Sequence, residues 1–175
     1  MKKITLITGG SRSGKSRYAL NLTKGFTKKA FIATAEPFDE EMRERILNHQ
    51  KQRGESFLTI EEPLDLAHAI RSVPPDREVA LIDCLTVWLG NIMHRYKTDD
   101  QNYPEVTSFL EVLKDAPCDL IIVTNEVGMG IILPNKLSRK FSDLAGELNQ
   151  SVAQLADQVI LMVSGFPLIV KGEIP

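Results

Sequence analysis

The sequence lacks the features that mark a membrane protein or a basic nucleic-acid-binding protein. Its apolar runs fall well short of the ~18 residues that a membrane span requires, although 43% of its 175 residues are hydrophobic. The formal net charge is −2, and broad binding to nucleic acid or anionic lipid rests on accumulated Lys and Arg. We therefore expect no nucleic-acid partner and no membrane span, and local basic residues must handle any phosphate.

Cysteine is also scarce. The chain has Cys84 and Cys118, each beside a predicted buried strand and without CxxC spacing. This pattern favours reduced, structural thiols over a disulfide or a metal role. The N-terminus runs from Met1-Lys2-Lys3 directly into a strand rather than into an apolar leader. The expectation is a cytoplasmic protein with a single domain over residues 1–175.

One stretch carries a specific chemical signature. Residues 9–16 fit G-x-x-x-x-G-K-[ST] and read Gly9-Gly10-Ser11-Arg12-Ser13-Gly14-Lys15-Ser16. A short apolar strand precedes the pattern and helical spacing of apolar residues follows it, which is the context in which the pattern binds phosphate. Backbone N–H groups would close on the phosphates, Lys15 would reach the outer phosphates, and Ser16 would offer a hydroxyl to Mg²⁺. The alternative is a Gly/Ser-rich turn before an ordinary helix.

Predicted strands and helices alternate along the chain. The strands cover 4–8, 30–34, 57–60, 79–83, 120–124 and 159–163, with an edge hairpin near 169–170. The helices cover 17–22, 39–53, a segment that opens at Pro63, 85–95, 105–114 and 136–156. This alternation predicts an α/β fold in which a mainly parallel sheet is flanked by helices on both faces.

Asp83 ends one of the buried strands. Four apolar residues, 79–82, precede it, as in a Walker B strand. At the carboxyl end of a parallel sheet, this carboxylate would lie near the phosphate loop on the Mg²⁺ side. The alternative is that Asp83 caps the helix that begins near Leu85.

His49 lies on the predicted helix 39–53. Arg45 and Arg53 are four residues on either side of it, so both guanidinium groups would share its face. Their charge disfavours protonation of the imidazole, which keeps it neutral and nucleophilic, and they could hold an incoming phosphate. From the residues alone, a histidine at the edge of the apolar stripe is the competing interpretation.

Several further segments match sequence motifs of a known family. They are 8–16, 32–35, Met42 with 45–49, 82–86, 123–131, 143–150 and 163–165. The most specific are the run Thr124-Asn125-Glu126-Val127-Gly128-Met129-Gly130 and the Arg-Ile-x-x-His spacing. With these segments the chain resembles, over nearly its whole length, the bifunctional adenosylcobinamide kinase/adenosylcobinamide-phosphate guanylyltransferase family of cobalamin biosynthesis.

The resemblance implies a P-loop NTPase fold of the RecA-like kind and two reactions. The first phosphorylates adenosylcobinamide, with GTP or ATP as donor, and the second transfers GMP from GTP to adenosylcobinamide phosphate. His49 would carry GMP covalently between half-reactions, beside Lys15 as the other catalytic residue. Mg²⁺, held by Ser16 and Asp83, and a homotrimer are also implied. Guanine-nucleotide contacts carry over to the phosphate loop and to Ala33, Thr34, Ala35, Gln50, Lys51, Gln52, Arg53, Glu61 and Asp83.

Two positions depart from the family pattern. Asn48 stands where some members have a second histidine, so His49 is the candidate nucleophile of this motif. Pro134 is displaced by one position from the usual order after Gly-x-Gly, which predicts a different path for that loop. Two other functions stay open: a P-loop ATPase or GTPase regulatory module, and a member that retains one of the two activities.

Overall fold

The computed structural model describes residues 2–37, 40, 43–44, 47, 50, 56–96, 103–130 and 134–173. Within this part of the chain, seven strands form one sheet in the order β3-β2-β4-β5-β1-β6-β7. The strands are β1 (Ile4–Gly9), β2 (Lys29–Ala33), β3 (Phe57–Glu61), β4 (Val79–Asp83), β5 (Asp119–Val123), β6 (Gln158–Val163) and β7 (Phe166–Lys171). Neighbouring strands are parallel except for β6 and β7, which form the edge hairpin expected near 169–170.

The helices follow the predicted alternation. They are α1 (Lys15–Leu22), α2 (Leu66–Arg71), α3 (Leu85–Tyr96), α4 (Pro104–Leu113) and α5 (Lys136–Leu155), with a 3₁₀ turn at Thr23–Gly25 after α1. In the segment predicted as a helix over 39–53, the described residues Glu40, Arg43, Glu44, Leu47 and Gln50 are helical. The remaining residues of that segment lie outside the described part of the chain.

Helix α2 begins later than the sequence predicts. The expected start was Pro63, whereas the helix begins at Leu66. Asp65 sets this start because its side chain accepts a hydrogen bond from the backbone N–H of His68, at 2.8 Å. An aspartate at the N-cap accepts hydrogen bonds from N–H groups that the first turn leaves without partners. The helix therefore begins after Asp65 rather than at Pro63.

Apolar side chains pack on both faces of the sheet. One cluster joins the sheet to helices α2 to α5 and includes Leu6, Ile122 and the fully buried Trp88. The cluster on the other face includes Ile7, Ile121 and Ala19 of α1. Successive residues of one strand face opposite sides, which is why β1 and β5 contribute to both clusters. The predicted arrangement of helices on both faces is confirmed.

Several large apolar side chains of the described residues are exposed, among them Leu137 and three on β7. Leu137, in the first turn of α5, is 68% exposed. On β7 the alternating side chains Phe166, Leu168 and Val170 are 77%, 56% and 62% exposed. No helix among the described residues combines the length and apolar character needed to cross a bilayer.

Candidate nucleotide-binding site

The loop between β1 and α1 closes into a tight turn at the carboxyl edge of the sheet. The backbone N–H of Ser13 donates to the carbonyl of Gly10, at 3.3 Å. Tyr18 N–H donates to Gly14 O at 3.0 Å, so Gly14 caps the first turn of α1. Strand, loop and helix therefore follow one another as the G-x-x-x-x-G-K-[ST] pattern requires, and the N-terminus of α1 points its free N–H groups into the loop.

Two glycines of the loop are required by geometry. Gly9 has φ of 146°, and a Cβ at this position would lie 2.5 Å from the Met162 carbonyl oxygen. Gly14 has φ of 96°, and its Cβ would meet the Gly165 Cα at 3.4 Å. Gly10, in contrast, has no neighbouring atom within 4 Å of its Cβ position. Gly9 thus allows close packing of the loop against β6, whereas at Gly14 it is the positive φ that favours glycine.

Lys15 is the buried cation of the loop. Its side chain is 7% exposed, and its ammonium donates a hydrogen bond to the Gly10 carbonyl at 2.6 Å. Burial lowers the pKa of Lys15, while Cys84 and Asp83 oppose this effect electrostatically. An ammonium that has lost part of its hydration binds a phosphate oxygen more strongly than an exposed one does, because it has less water to give up.

Asp83 lies at the end of β4, on the same cleft as Lys15. Helix α3 begins at Leu85, and the Cys84 carbonyl accepts its first helical hydrogen bond, from the Trp88 N–H at 3.1 Å. The two predicted roles of Asp83, as a magnesium ligand and as the cap of this helix, both stay predictions. The peptide bond between Asp83 and Cys84 is cis.

Thr34 fixes the strand ends beside Asp83. Its hydroxyl donates to the Cys84 carbonyl and accepts from the Cys84 N–H, both at 2.9 Å. Asn91 of α3 donates to the Thr34 carbonyl at 2.8 Å. The Thr34 side chain is fully buried, and its hydroxyl is engaged in this clamp. Its predicted contact with the nucleotide stays a prediction, and within the described residues its bonds hold β2 against the start of α3.

Ala33, Glu61 and Asp83 lie in one row across the sheet. Ala33 pairs with Glu61 on β3 and with Asp83 on β4. Neighbouring strands are about 4.8 Å apart, so Glu61 lies roughly 10 Å from Asp83 along the carboxyl edge. Glu61 is exposed, and Ala33 and Ala35 are half-buried. Ala33, Ala35 and Glu61 therefore lie along the carboxyl edge of the sheet next to Asp83, but they do not line the main cleft.

The main cleft is open and has a volume of about 990 Å³. Its lining includes the predicted residues Ser11, Arg12, Ser13, Gly14, Lys15, Ser16 and Asp83. It also includes residues that were absent from the predicted set, namely Arg17, Leu20, Asn21, Lys24, Cys84, Val123, Asn125, Ser164 and Gly165. The sequence does contain a signal for Arg17, Leu20 and Asn21 of α1, because residues three and four apart lie on one face of a helix, here the helix that follows the loop; Lys24 lies in the 3₁₀ turn after it.

The predicted nucleophile and its neighbours lie outside the described residues. They are His49, Arg45, Lys51, Gln52 and Arg53. Gln50, which is described, is helical and half-buried. The roles assigned to this segment therefore stay predictions.

The thiols are buried and free, as expected. Burial raises the pKa of Cys84 to about 12, and Asp83 adds to the shift. Burial likewise raises the pKa of Cys118 to about 11. At neutral pH both remain thiols, so neither is a nucleophile.

The fold and the loop define the class of protein. The P-loop follows β1, Asp83 ends β4, and β5 lies between these two strands. Among solved structures, an ATPase from the type III secretion system of pathogenic bacteria superposes with a TM-score of 0.54 at 11% identity, covering 91% of this chain and 50% of that one. That likeness concerns the fold alone. The chain has a P-loop NTPase fold of the RecA-like kind, with a mainly parallel sheet flanked by helices, which confirms the predicted fold class.

Comparison with known sequences narrows this class to a family. The model for cobinamide kinase / cobinamide phosphate guanyltransferase matches residues 5–170. The chain is 41% identical over 170 residues to the bifunctional adenosylcobalamin biosynthesis protein CobP of Pseudomonas aeruginosa, covering 96% of this chain and 97% of that protein. It is 36% identical over 178 residues to CobU of Escherichia coli K12, covering 95% and 98%. The chain belongs to the cobinamide kinase / cobinamide phosphate guanyltransferase family, and the expected function and enzyme class are confirmed at that level.

Proposed function

We propose that the two activities of the family operate in this chain as successive reactions on adenosylcobinamide. In the first, the aminopropanol hydroxyl oxygen attacks the γ-phosphorus of a nucleoside triphosphate, the bond to the β,γ-bridging oxygen breaks, and the hydroxyl proton is released. GTP is the donor, with ATP as the alternative. The observation that carries the proposal is the buried Lys15 in a P-loop that faces Asp83.

In the second reaction, the His49 imidazole nitrogen attacks the α-phosphorus of GTP and pyrophosphate leaves. A phosphate oxygen of adenosylcobinamide phosphate then attacks the same phosphorus, and the P–N bond breaks to give adenosylcobinamide-GDP. Support comes from the Arg-Ile-x-x-His spacing at 45–49 in the sequence, and the described residues Leu47 and Gln50 are helical. Ala33, Ala35 and Glu61 at the sheet edge would hold the guanosine of this intermediate.

Ser16 and Asp83 fit a magnesium ion. Both line the cleft beside Lys15 and offer the hard oxygen ligands that Mg²⁺ prefers. The described residues contain no cluster of three or more His, Cys, Asp or Glu side chains suited to a metal. A magnesium ion at Ser16 and Asp83 would be bound through one carboxylate, one hydroxyl, substrate phosphates and water. When bound, the ion would neutralise charge on the phosphoryl oxygens.

The localisation and the oligomeric state that we propose follow from the family resemblance. We propose a cytoplasmic homotrimer whose subunits are single domains. The exposed side chains of Phe166, Leu168 and Val170 on the edge strand β7 support a subunit contact, because an exposed apolar edge invites pairing with another chain. Leu168→Glu should therefore dissociate the oligomer in light-scattering measurements. Leu58→Glu on the opposite edge strand is the matched control, and equal oligomers from both variants would exclude β7 as the contact.

The central experiment measures both products from one His49→Ala preparation. GMP transfer and the acid-labile GMP adduct should disappear together, because covalent catalysis has no substitute for its nucleophile. Phosphorylation of adenosylcobinamide should persist, since that step relies on positioning and charge stabilisation. His68→Ala is the matched control, because His68 is an exposed histidine of α2. Residual transfer without an adduct would eliminate the covalent intermediate.

A further inference from the structure

Asn125 occupies a central position in the cleft. It follows β5, which lies between the P-loop strand β1 and the Asp83 strand β4. Val123 pairs with Asp83 on one side and with Ile7 on the other, so Asn125 extends from the sheet edge between the two charged groups of the site. It lines the same cleft as Lys15 and Asp83. Its side-chain amide makes no hydrogen bond to the residues that the structure describes, so it is available to a ligand.

The backbone of Asn125 is held at both of its polar groups by side chains. Its N–H donates to the Thr86 hydroxyl at 2.7 Å. Its carbonyl accepts from the Asn149 side-chain amide at 3.1 Å. Thr86 lies on α3 and Asn149 on α5, so side chains from two different helices hold the backbone of one residue.

The two holding side chains are themselves connected. Thr124, which is 1% exposed, donates its hydroxyl to Asn149 Oδ1 at 2.8 Å. The Thr124 and Thr86 hydroxyl oxygens are 3.3 Å apart. Asn149 is 9% exposed, and no apolar residue of similar volume could make these bonds. A buried polar network of this kind is costly unless its members are satisfied, and when satisfied it specifies one arrangement.

The segment after Asn125 is tied to the P-loop. Glu126 N–H donates to the Gly9 carbonyl at 3.0 Å, and Thr124 N–H donates to the Ile7 carbonyl at 3.0 Å. The residues on either side of Asn125 are therefore held by hydrogen bonds to the last part of β1, including the first glycine of the loop. A shift of the Asn125 backbone would move its side chain relative to the bound phosphates.

We propose that Thr86 and Asn149 are positioning residues that hold Asn125 so that its side-chain amide donates to the phosphoryl oxygens of the bound nucleoside triphosphate. Asn125 is then the group that touches substrate, and the two helical residues act through it. A fixed donor stabilises the charge that develops during phosphoryl transfer, whereas a mobile one would have to be ordered in each turnover. This inference rests on the nucleotide chemistry proposed above.

The test is a double-mutant cycle between Thr86→Val and Asn125→Ala, measured as kcat and KM for the kinase step with GTP. Asn125→Ala should lower kcat about 100-fold, the scale of one lost donor to a transition state. Thr86→Val should lower it about tenfold in the native background but less than twofold when Asn125 is already alanine, because the group that it positions is gone. Thr86→Ser keeps the hydroxyl and should restore the rate.

Two further variants separate positioning from general stability. Thr5→Val removes a buried hydroxyl at the opposite end of β1, where Thr5 faces Gln158, and should leave kcat unchanged. Asn149→Asp keeps the acceptor for Thr124 but loses the donor to the Asn125 carbonyl, and should repeat the Thr86→Val pattern. Each variant is first checked for native circular dichroism.

Equal rate losses for Thr86→Val in both backgrounds would overturn the proposal. Failure of both Thr86→Val and Asn149→Asp to fold would also overturn it, because the network would then serve stability alone. A native protein that lacks kinase activity with both GTP and ATP would refute the proposed function instead, and wild-type assays show that outcome before any variant is made.

Discussion

Gly9→Ala tests whether the start of the P-loop packs directly against Met162 of β6. Gly9 pairs with Met162 in the parallel ladder. An added Cβ would lie 2.5 Å from the Met162 carbonyl oxygen and 2.9 Å from Ser13 Oγ. Because one of these neighbours is backbone, the strand or the loop must shift. The residue's φ of 146° is in addition strained for any side chain.

The expected loss of stability combines two costs. Overpacking costs about 1–3 kcal/mol, and a strained backbone conformation costs about 1–3 kcal/mol. The free energy of unfolding should therefore fall by about 2–6 kcal/mol, which for a chain of this size lowers Tm by roughly 5–20 °C.

Gly10→Ala is the matched control, because no atom lies within 4 Å of its Cβ position. Both substitutions reduce the entropy of the unfolded chain equally, so the difference between the two variants isolates the folded state. Thermal and urea unfolding of the nucleotide-free proteins provide the measurement. Melting temperatures within about 1 °C of each other would refute the described contact between the loop and β6, since the calculated difference is several kcal/mol.

Three further predictions follow from the site. Lys15→Ala should weaken GTP binding and lower both activities while the far-ultraviolet circular dichroism stays native. The reason is that the Lys15 ammonium binds the outer phosphates and does not pack in the core. Unchanged GTP affinity and turnover would refute the P-loop assignment. Asp83→Asn keeps the shape but loses the charge and should raise the Mg²⁺ concentration needed for half-maximal rate, so an unaltered titration would argue for a structural role. Cys84 and Cys118, with pKa values raised to about 12 and about 11, should resist alkylation in the native protein at pH 8 and react after unfolding, and rapid labelling of the native protein at that pH would contradict their burial.

The sequence by itself determined the order of elements and the chemistry of the P-loop. Strands such as Val79–Asp83 are short apolar runs with a sharp end, and the glycine-lysine pattern between strand and helix is local, so neighbouring residues carry the whole signal. Local sequence patterns failed at the start of α2, where Asp65 rather than Pro63 sets the first residue of the helix. Whether a helix begins at a proline or after an aspartate depends on which N–H groups of its first turn need a hydrogen-bond acceptor in the folded chain.

The tertiary structure alone decided which residues meet in the cleft. Thr86, Thr124 and Asn149 lie far apart in the sequence, and nothing in their spacing indicates that they converge on Asn125. Their contact depends on strand order, which brings β5 between β1 and β4, and on the packing of α3 and α5 against one face. Sequence patterns report local periodicity, whereas hydrogen bonds between distant elements follow from the sheet register that the whole chain establishes.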